Sequence, residues 1–239
     1  MALPGVPVHL EARGVDSSGG HYHIAGRPAG VFLDSDGTTE STGVYKTTFY
    51  ANWFGGKEWI IASSSEITNR DSVLMTLRVP ALELLPAGTH YIKIGGTCSH
   101  HCPRDDNQHQ SCRTPDNNHY AAHLVRDSLP LMAAVWVDSL GQDTLFINDI
   151  SLPDGGLFDH QATWNAPHAT HRTGLDVDVR TELLSVNPPR RGVKVRDSRG
   201  ETVGNKEFVR LAKRFGAKRL EPHDPQTGNE HYHLYYWSQ

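Results

Sequence analysis

The segment HATHRTGLDVDV, His168 to Val179, places two histidines and two aspartates within twelve residues. Neutral imidazole nitrogens and carboxylate oxygens are the donors that hold divalent ions of the zinc type. If the aspartates lie on a strand, residues of equal parity share a face. Asp176 and Asp178 then point one way, and Leu175, Val177 and Val179 the other. His171 precedes Asp178 with six residues between them, and Gly174 supplies the turn that brings the imidazole back beside the strand. A hydrolytic metal site needs three protein donors and an open position, so another segment must contribute. NEHYHLYYW at the end of the chain can do so. As a strand it sets His231 and His233 on one face and Tyr232 and Leu234 on the other, so that one histidine coordinates while its neighbour stands beside the open position. The same tripeptide at His21 to His23 has no aspartate at matching spacing and reads as an ordinary surface feature. Fifteen histidines in the chain make some chance clustering expected.

The positioning elements fall into two groups, predicting residues 1–80 as a small all-β sandwich and 81–239 as a second domain. VPVHLEARG, TGVYKTTFYANW and EWIIASSSE alternate and are rich in β-branched residues. DSSGG, DSDGTTESTG and FGGK between them are turn chemistry. Further on, LPLMAAVWVDSLG predicts a helix started by Pro130, with Leu131, Ala134, Val135 and Ser139 on one side. NKEFVRLAKRFG predicts another, with Phe208, Leu211, Ala212 and Phe215 inward and Arg210, Lys213 and Arg214 on a solvated cationic face. DTLFINDISL, HRTGLDVDVRTELL and EHYHLYYW predict strands, giving an α+β domain with an antiparallel sheet.

Composition narrows the functions available. A net charge of −4 argues against a nucleic-acid partner, which needs a clustered basic surface. No apolar run approaches the roughly 20 residues needed for a membrane span. The start of the chain has neither a basic nor an apolar leader region, so any secretory signal is expected to be absent from it. Cys98, Cys102 and Cys112 lie in one His-rich tract without the paired CxxC-like spacing of a structural zinc site. They read as a polar loop holding one disulfide and a leftover thiol, or three free thiols.

His171 with Asp178 in HRTGLDVD, followed by the terminal HYH, resembles the H-x6-D … H-x-H signature of the zinc peptidases. That group joins lysostaphin-type endopeptidases, D-alanyl-D-alanine peptidases and the hedgehog domain. NDISLPDGG ahead of PHATHRTGLDVDV is similar, more narrowly, to the penicillin-insensitive murein endopeptidases. This resemblance runs from about Leu82 to Gln239. It implies a zinc peptidase fold, with His171, Asp178 and His233 as Zn²⁺ ligands and His231 as general base. His168 would lie behind the first ligand or hold a second ion. The resemblance identifies no counterpart for the Cys-rich tract. The residues before 81 resemble the Ig-like modules of bacterial surface proteins.

The expected function is thus a zinc-dependent peptidase or amidase, secreted or in the cell envelope, acting on peptides or peptidoglycan cross-links through an activated water. Asp176 is expected to support a histidine N–H and Asp149 and Ser151 to orient substrate. Two rivals use the same residues. One is a catalytically silent zinc-binding surface adhesion protein that meets a cell-surface ligand through its Ig-like module. The other is a closed structural zinc site.

Overall fold

The computed structural model of the chain describes residues 3–20, 26–66, 68, 70–94, 118–158, 164, 170–180, 182–183, 190–191, 206–223 and 231–237. His168, the three cysteines and the HYH at His21 to His23 lie outside the described residues.

Before Val79 the described structure is all β. β1 (Pro7–Gly14), β3 (Asp36–Thr38), β5 (Gly56–Ser63) and β6 (Asp71–Leu77) make an antiparallel sheet in the order β3-β1-β5-β6. A small pair, β2 (Val31–Phe32) with β4 (Phe49–Tyr50), accompanies it. The long strand expected from TGVYKTTFYANW is thus reduced to β4, because its partner β2 is only two residues long. The turn expected at DSDGTTESTG contains β3, and that at FGGK contains the start of β5. Phe54 is the only buried apolar side chain among the described residues before Leu85, so this sheet has little core of its own.

The second half is built on a five-stranded sheet ordered β14-β15-β11-β10-β8. Its strands are β8 (Tyr91–Lys93), β10 (Leu145–Ile147), β11 (Asp176–Arg180), β14 (Arg219–His223) and β15 (His231–Tyr235). Small pairs join β7 (Leu82–Leu84) to β9 (Tyr120–Ala122) and β12 (Glu182–Leu183) to β13 (Arg190–Arg191). The sheet is antiparallel as expected except at its edge, where β8 and β10 run parallel. A parallel pair needs a crossover, and helix α1 (His123–Ala134) lies in the connection between those two strands.

Helix α1 starts well before the expected position, with Pro130 inside it. The missing proline N–H costs the helix one internal bond. Val125, Leu129, Met132 and Ala133 bury the inner face and outweigh that loss, while Leu131, expected inside, is 60 % exposed. The helix runs on into a π-helical turn, Val135–Ser139, where the Leu140 N–H donates to the Val135 carbonyl. Helix α2 (Lys206–Arg214) buries Phe208, Leu211 and Ala212 and exposes Arg210, Lys213 and Arg214, as its spacing predicts. Both helices join Val177, Val179, Tyr232 and Leu234 in one core. Phe208 contacts both Trp136 and Tyr232, with ring centroids 5.3 and 5.2 Å apart. Each such buried side chain is worth about 1.5–3 kcal/mol. With one face of the sheet filled by apolar groups, the opposite residues of β11 and β15 must face away from the helices.

The two halves meet at a glycine junction. The Gly55 N–H donates to the Gly155 carbonyl at 3.2 Å, and the Leu157 N–H to the Trp53 carbonyl at 2.7 Å. Gly156 has φ +78°, and a Cβ there would lie 2.4 Å from the Gly55 nitrogen, so only glycine allows this approach. Phe54 inserts at the junction with its ring edge against Trp164 at 5.2 Å.

Candidate metal centre

The register of β11 on β15 sets Asp178 opposite His233, Asp176 opposite Tyr235 and Arg180 opposite His231. Alternation therefore puts Asp176, Asp178, His231 and His233 on one face, away from the helical core. His171 reaches that face from the preceding turn, in which Gly174 takes φ +70°. His171 itself has φ +61°. A non-glycine residue in that region costs of order 1–3 kcal/mol and persists only when its surroundings hold it there. Two contacts do so. The His171 backbone N–H donates to Asp176 Oδ2 at 3.3 Å, and its Nδ1–H donates to the Ile150 carbonyl at 3.2 Å. The second bond fixes the ring so that Nε2 faces Asp178.

His171 Nε2 lies 3.2 Å from Asp178 Oδ2, and His233 Nδ1 lies 3.2 Å from Asp178 Oδ1. One donor atom from each of the three residues falls within 4.8 Å of the others, and all three side chains are buried. Tetrahedral donors at about 2.0–2.1 Å from one ion stand about 3.3–3.4 Å apart, close to the 3.2 Å that separates each imidazole from the Asp178 carboxylate. His231 sits at the margin of the group, its Nε2 3.5 Å from Asp178 Oδ2 and its side chain 12 % exposed. It gives the cluster its contact with solvent.

Burial disfavours the charged form of His171, yet the facing Asp178, with Asp149 and Asp176, outweighs this and pushes the pKa up to about 9. The same burial opposes ionisation of Asp178. His171, His231 and His233 nevertheless hold its carboxyl well below the usual carboxylate range. Without metal the pair is thus a buried ion pair, with a proton on the nitrogen that a metal would take.

Surrounding residues hold this arrangement. Asp178 N–H donates to the Asp149 carbonyl at 2.9 Å, and Asn148 N–H to the Asp178 carbonyl at 2.8 Å. The Asp149 carboxylate accepts from the Asn118 and Asn148 amides at 2.6 and 2.5 Å. Asp149 and Ser151 are both buried. Asp176 accepts from Trp237 Nε1–H at 2.7 Å as well as from the His171 backbone N–H, and it lies 3.9 Å from His233 Nε2. Tyr235 stacks on His233 with centroids 4.4 Å apart, and its hydroxyl donates to Glu221 Oε2 at 3.2 Å. Burial and Glu221 push the Tyr235 pKa up to about 12, so it stays a neutral ring.

Sequence reasoning missed Asn118, Asn148, Tyr235, Trp237 and Glu221. Tyr235 shares the parity of His231 and His233 and was open to the same argument. Asn118 comes from a distant segment and carries no local signal.

The fold and this cluster define an α+β domain carrying a buried His/Asp group able to hold a metal. The chain matches the family described as penicillin-insensitive murein endopeptidase over residues 94–221, more than half its length, and belongs to that family. The matched span includes His171 and Asp178 and ends before His231 and His233. Relatives named penicillin-insensitive murein endopeptidase from Escherichia coli (strain K12 / DH10B) and Shigella boydii serotype 18 are each 35 % identical over 81 residues. That alignment covers 34 % of this chain and 27 % of each relative, so it spans about a quarter of their length. No solved structure matches.

Metal uptake near neutrality is expected to expel about one proton, because a ligating imidazole must be neutral. His171 has a raised pKa. In the metal-free protein its contribution to stability is full below about 6.5, the unfolded value, and is lost as pH rises through about 9. Metal affinity accordingly increases with pH over that window. Calorimetric titration at pH 7 in buffers of different ionisation enthalpy measures the release; a buffer-independent heat would contradict it.

Proposed function

We propose that the chain is a zinc-dependent peptidase that cleaves the peptide cross-links of peptidoglycan and works in the cell envelope. The observation that carries this reading is the convergence of two imidazoles and one carboxylate, each 3.2 Å from its neighbour, in a member of a murein endopeptidase family. The mixed nitrogen and oxygen donor set suits zinc, and three protein donors leave one position open. His171, Asp178 and His233 would hold the ion.

When bound, zinc supplies Lewis acidity to the scissile carbonyl and makes water acidic enough to ionise near neutrality. The chain's own residues do the rest. His231, at the solvent edge, takes a proton from the attacking water and returns it to the leaving amine, a role within reach of an imidazole at neutral pH. The Ile150 carbonyl holds the His171 tautomer, and the stacked Tyr235 ring holds the plane of His233. The apolar core under β11 and β15 keeps the donor face rigid.

His231→Ala is expected to retain zinc and lose hydrolysis by about 10²-fold or more, the loss typical of a missing general base. His233→Ala should lose both. Zinc stoichiometry and turnover of a cross-linked muropeptide, measured on both variants, check this. Full activity in His231→Ala sinks its role, and a wild-type protein that binds zinc but hydrolyses nothing turns the reading toward a silent zinc-binding surface protein.

The division at residue 80 belongs to the same proposal: an Ig-like module before it, the metal-binding domain after it. In support, every described strand before Val79 belongs to the N-terminal sheets, and all four site residues come later. A fragment starting at Arg78 is expected to unfold cooperatively and keep its metal, since the large core lies within it. An unfolded fragment beside a stable full chain would make the glycine junction obligatory.

A further inference from the structure

Arg172 follows His171 directly, and its carbonyl accepts from the Gly156 N–H at 2.9 Å. Its guanidinium lies over the ring of Trp53, 5.8 Å from the centroid. That ring is the guanidinium's only partner among the described residues, and its Nε is buried with no hydrogen bond. Arg27 shows the contrast. It also lies over an indole, that of Trp164, but it donates to the Phe54 carbonyl and feels Glu58, Asp154 and Asp16. Among the described residues Arg172 has no such acidic neighbour.

Trp53 is itself unusual. It is 73 % exposed, the most exposed large apolar residue among those described, although Phe54 beside it is buried in the junction. Its backbone is fixed by the bond from Leu157, and Gly156, Arg172 and His171 follow in close order. An exposed indole and a guanidinium with no carboxylate partner among the described residues are thus held on rigid backbone, one residue in sequence from a candidate metal ligand.

We infer that Trp53 and Arg172 form an accessory subsite that binds a free carboxylate of the peptide substrate. The guanidinium presents a planar fork of donors that a carboxylate matches with two parallel bonds. The indole holds the guanidinium by a cation–π contact and offers its open face to the adjoining chain. Murein cross-link peptides carry free carboxylates beside the bonds that join the strands, so this subsite would fix which bond reaches the metal. It rests on the peptidase reading given above, and it gives the N-terminal module a share in substrate selection.

The test uses the full chain and a synthetic cross-linked muropeptide dimer, with its carboxylates either free or amidated. Binding is read by tryptophan fluorescence on the metal-free protein, and KM and kcat on the zinc-loaded protein. Wild type is expected to bind the free form about tenfold more tightly, the loss typical of one charge-assisted hydrogen-bonded contact. R172Q should erase that preference, raising KM for the free form while zinc content and kcat stay within about twofold. W53A should weaken binding, and W53F should restore most of it. Equal binding of the two forms by wild type overturns the subsite. So does a preference that survives in R172Q, or an N-acetylglucosamine oligomer that binds as tightly as the dimer. If wild type shows the preference and R172Q lacks it, but neither form is hydrolysed, the subsite stands and the peptidase reading falls.

Discussion

An ionised carboxylate removed from water costs several kcal/mol unless charges and hydrogen bonds of suitable geometry compensate. Asp178 is such a group, buried in a sheet strand with imidazoles on two sides. Much of the structure around β11 and β15 compensates for it. Its amide and carbonyl are bonded across to the segment after β10, its oxygens face His171 and His233, and His171 is held in a left-handed backbone to meet it. Removing either histidine would leave a buried charge short of a partner. The same crowding of donors is what a divalent ion relieves, since it satisfies all three at once.

The sheet makes this possible by having two unlike faces. Val177, Val179, Tyr232 and Leu234 fill the helix-facing side, and that packing fixes the β11 and β15 register. A slip of one residue would send the aspartates and histidines into the core. Rigidity thus comes from apolar packing and chemistry from the alternate residues of the same strands.

Alternation is also why the site was legible in the sequence. DVDV and HYHLY each announce a strand with apolar and polar residues in turn, and the two need only pair for the candidate donors to converge. Other elements were hidden for identifiable reasons. β14 contains Pro222 and charged residues and lacks alternation; it is tolerated because it lies at the sheet edge. Pro130 suggested a helix start, but residues upstream of it already carried the buried stripe of α1. The parallel pairing of β8 and β10 and the closing of Asn118 on Asp149 depend on long-range topology, which local pattern does not encode. The glycine junction, with Trp53 beside Arg172, likewise joins segments far apart in the chain.

The central claim is that His171, Asp178 and His233 together hold one metal ion. Its most direct measurement is zinc stoichiometry by equilibrium dialysis, comparing the intact protein with a His171→Ala, His233→Ala double variant whose fold is checked by circular dichroism. One zinc per chain is expected in the first and none in the second. Full retention by a folded double variant would contradict the account and place the metal elsewhere.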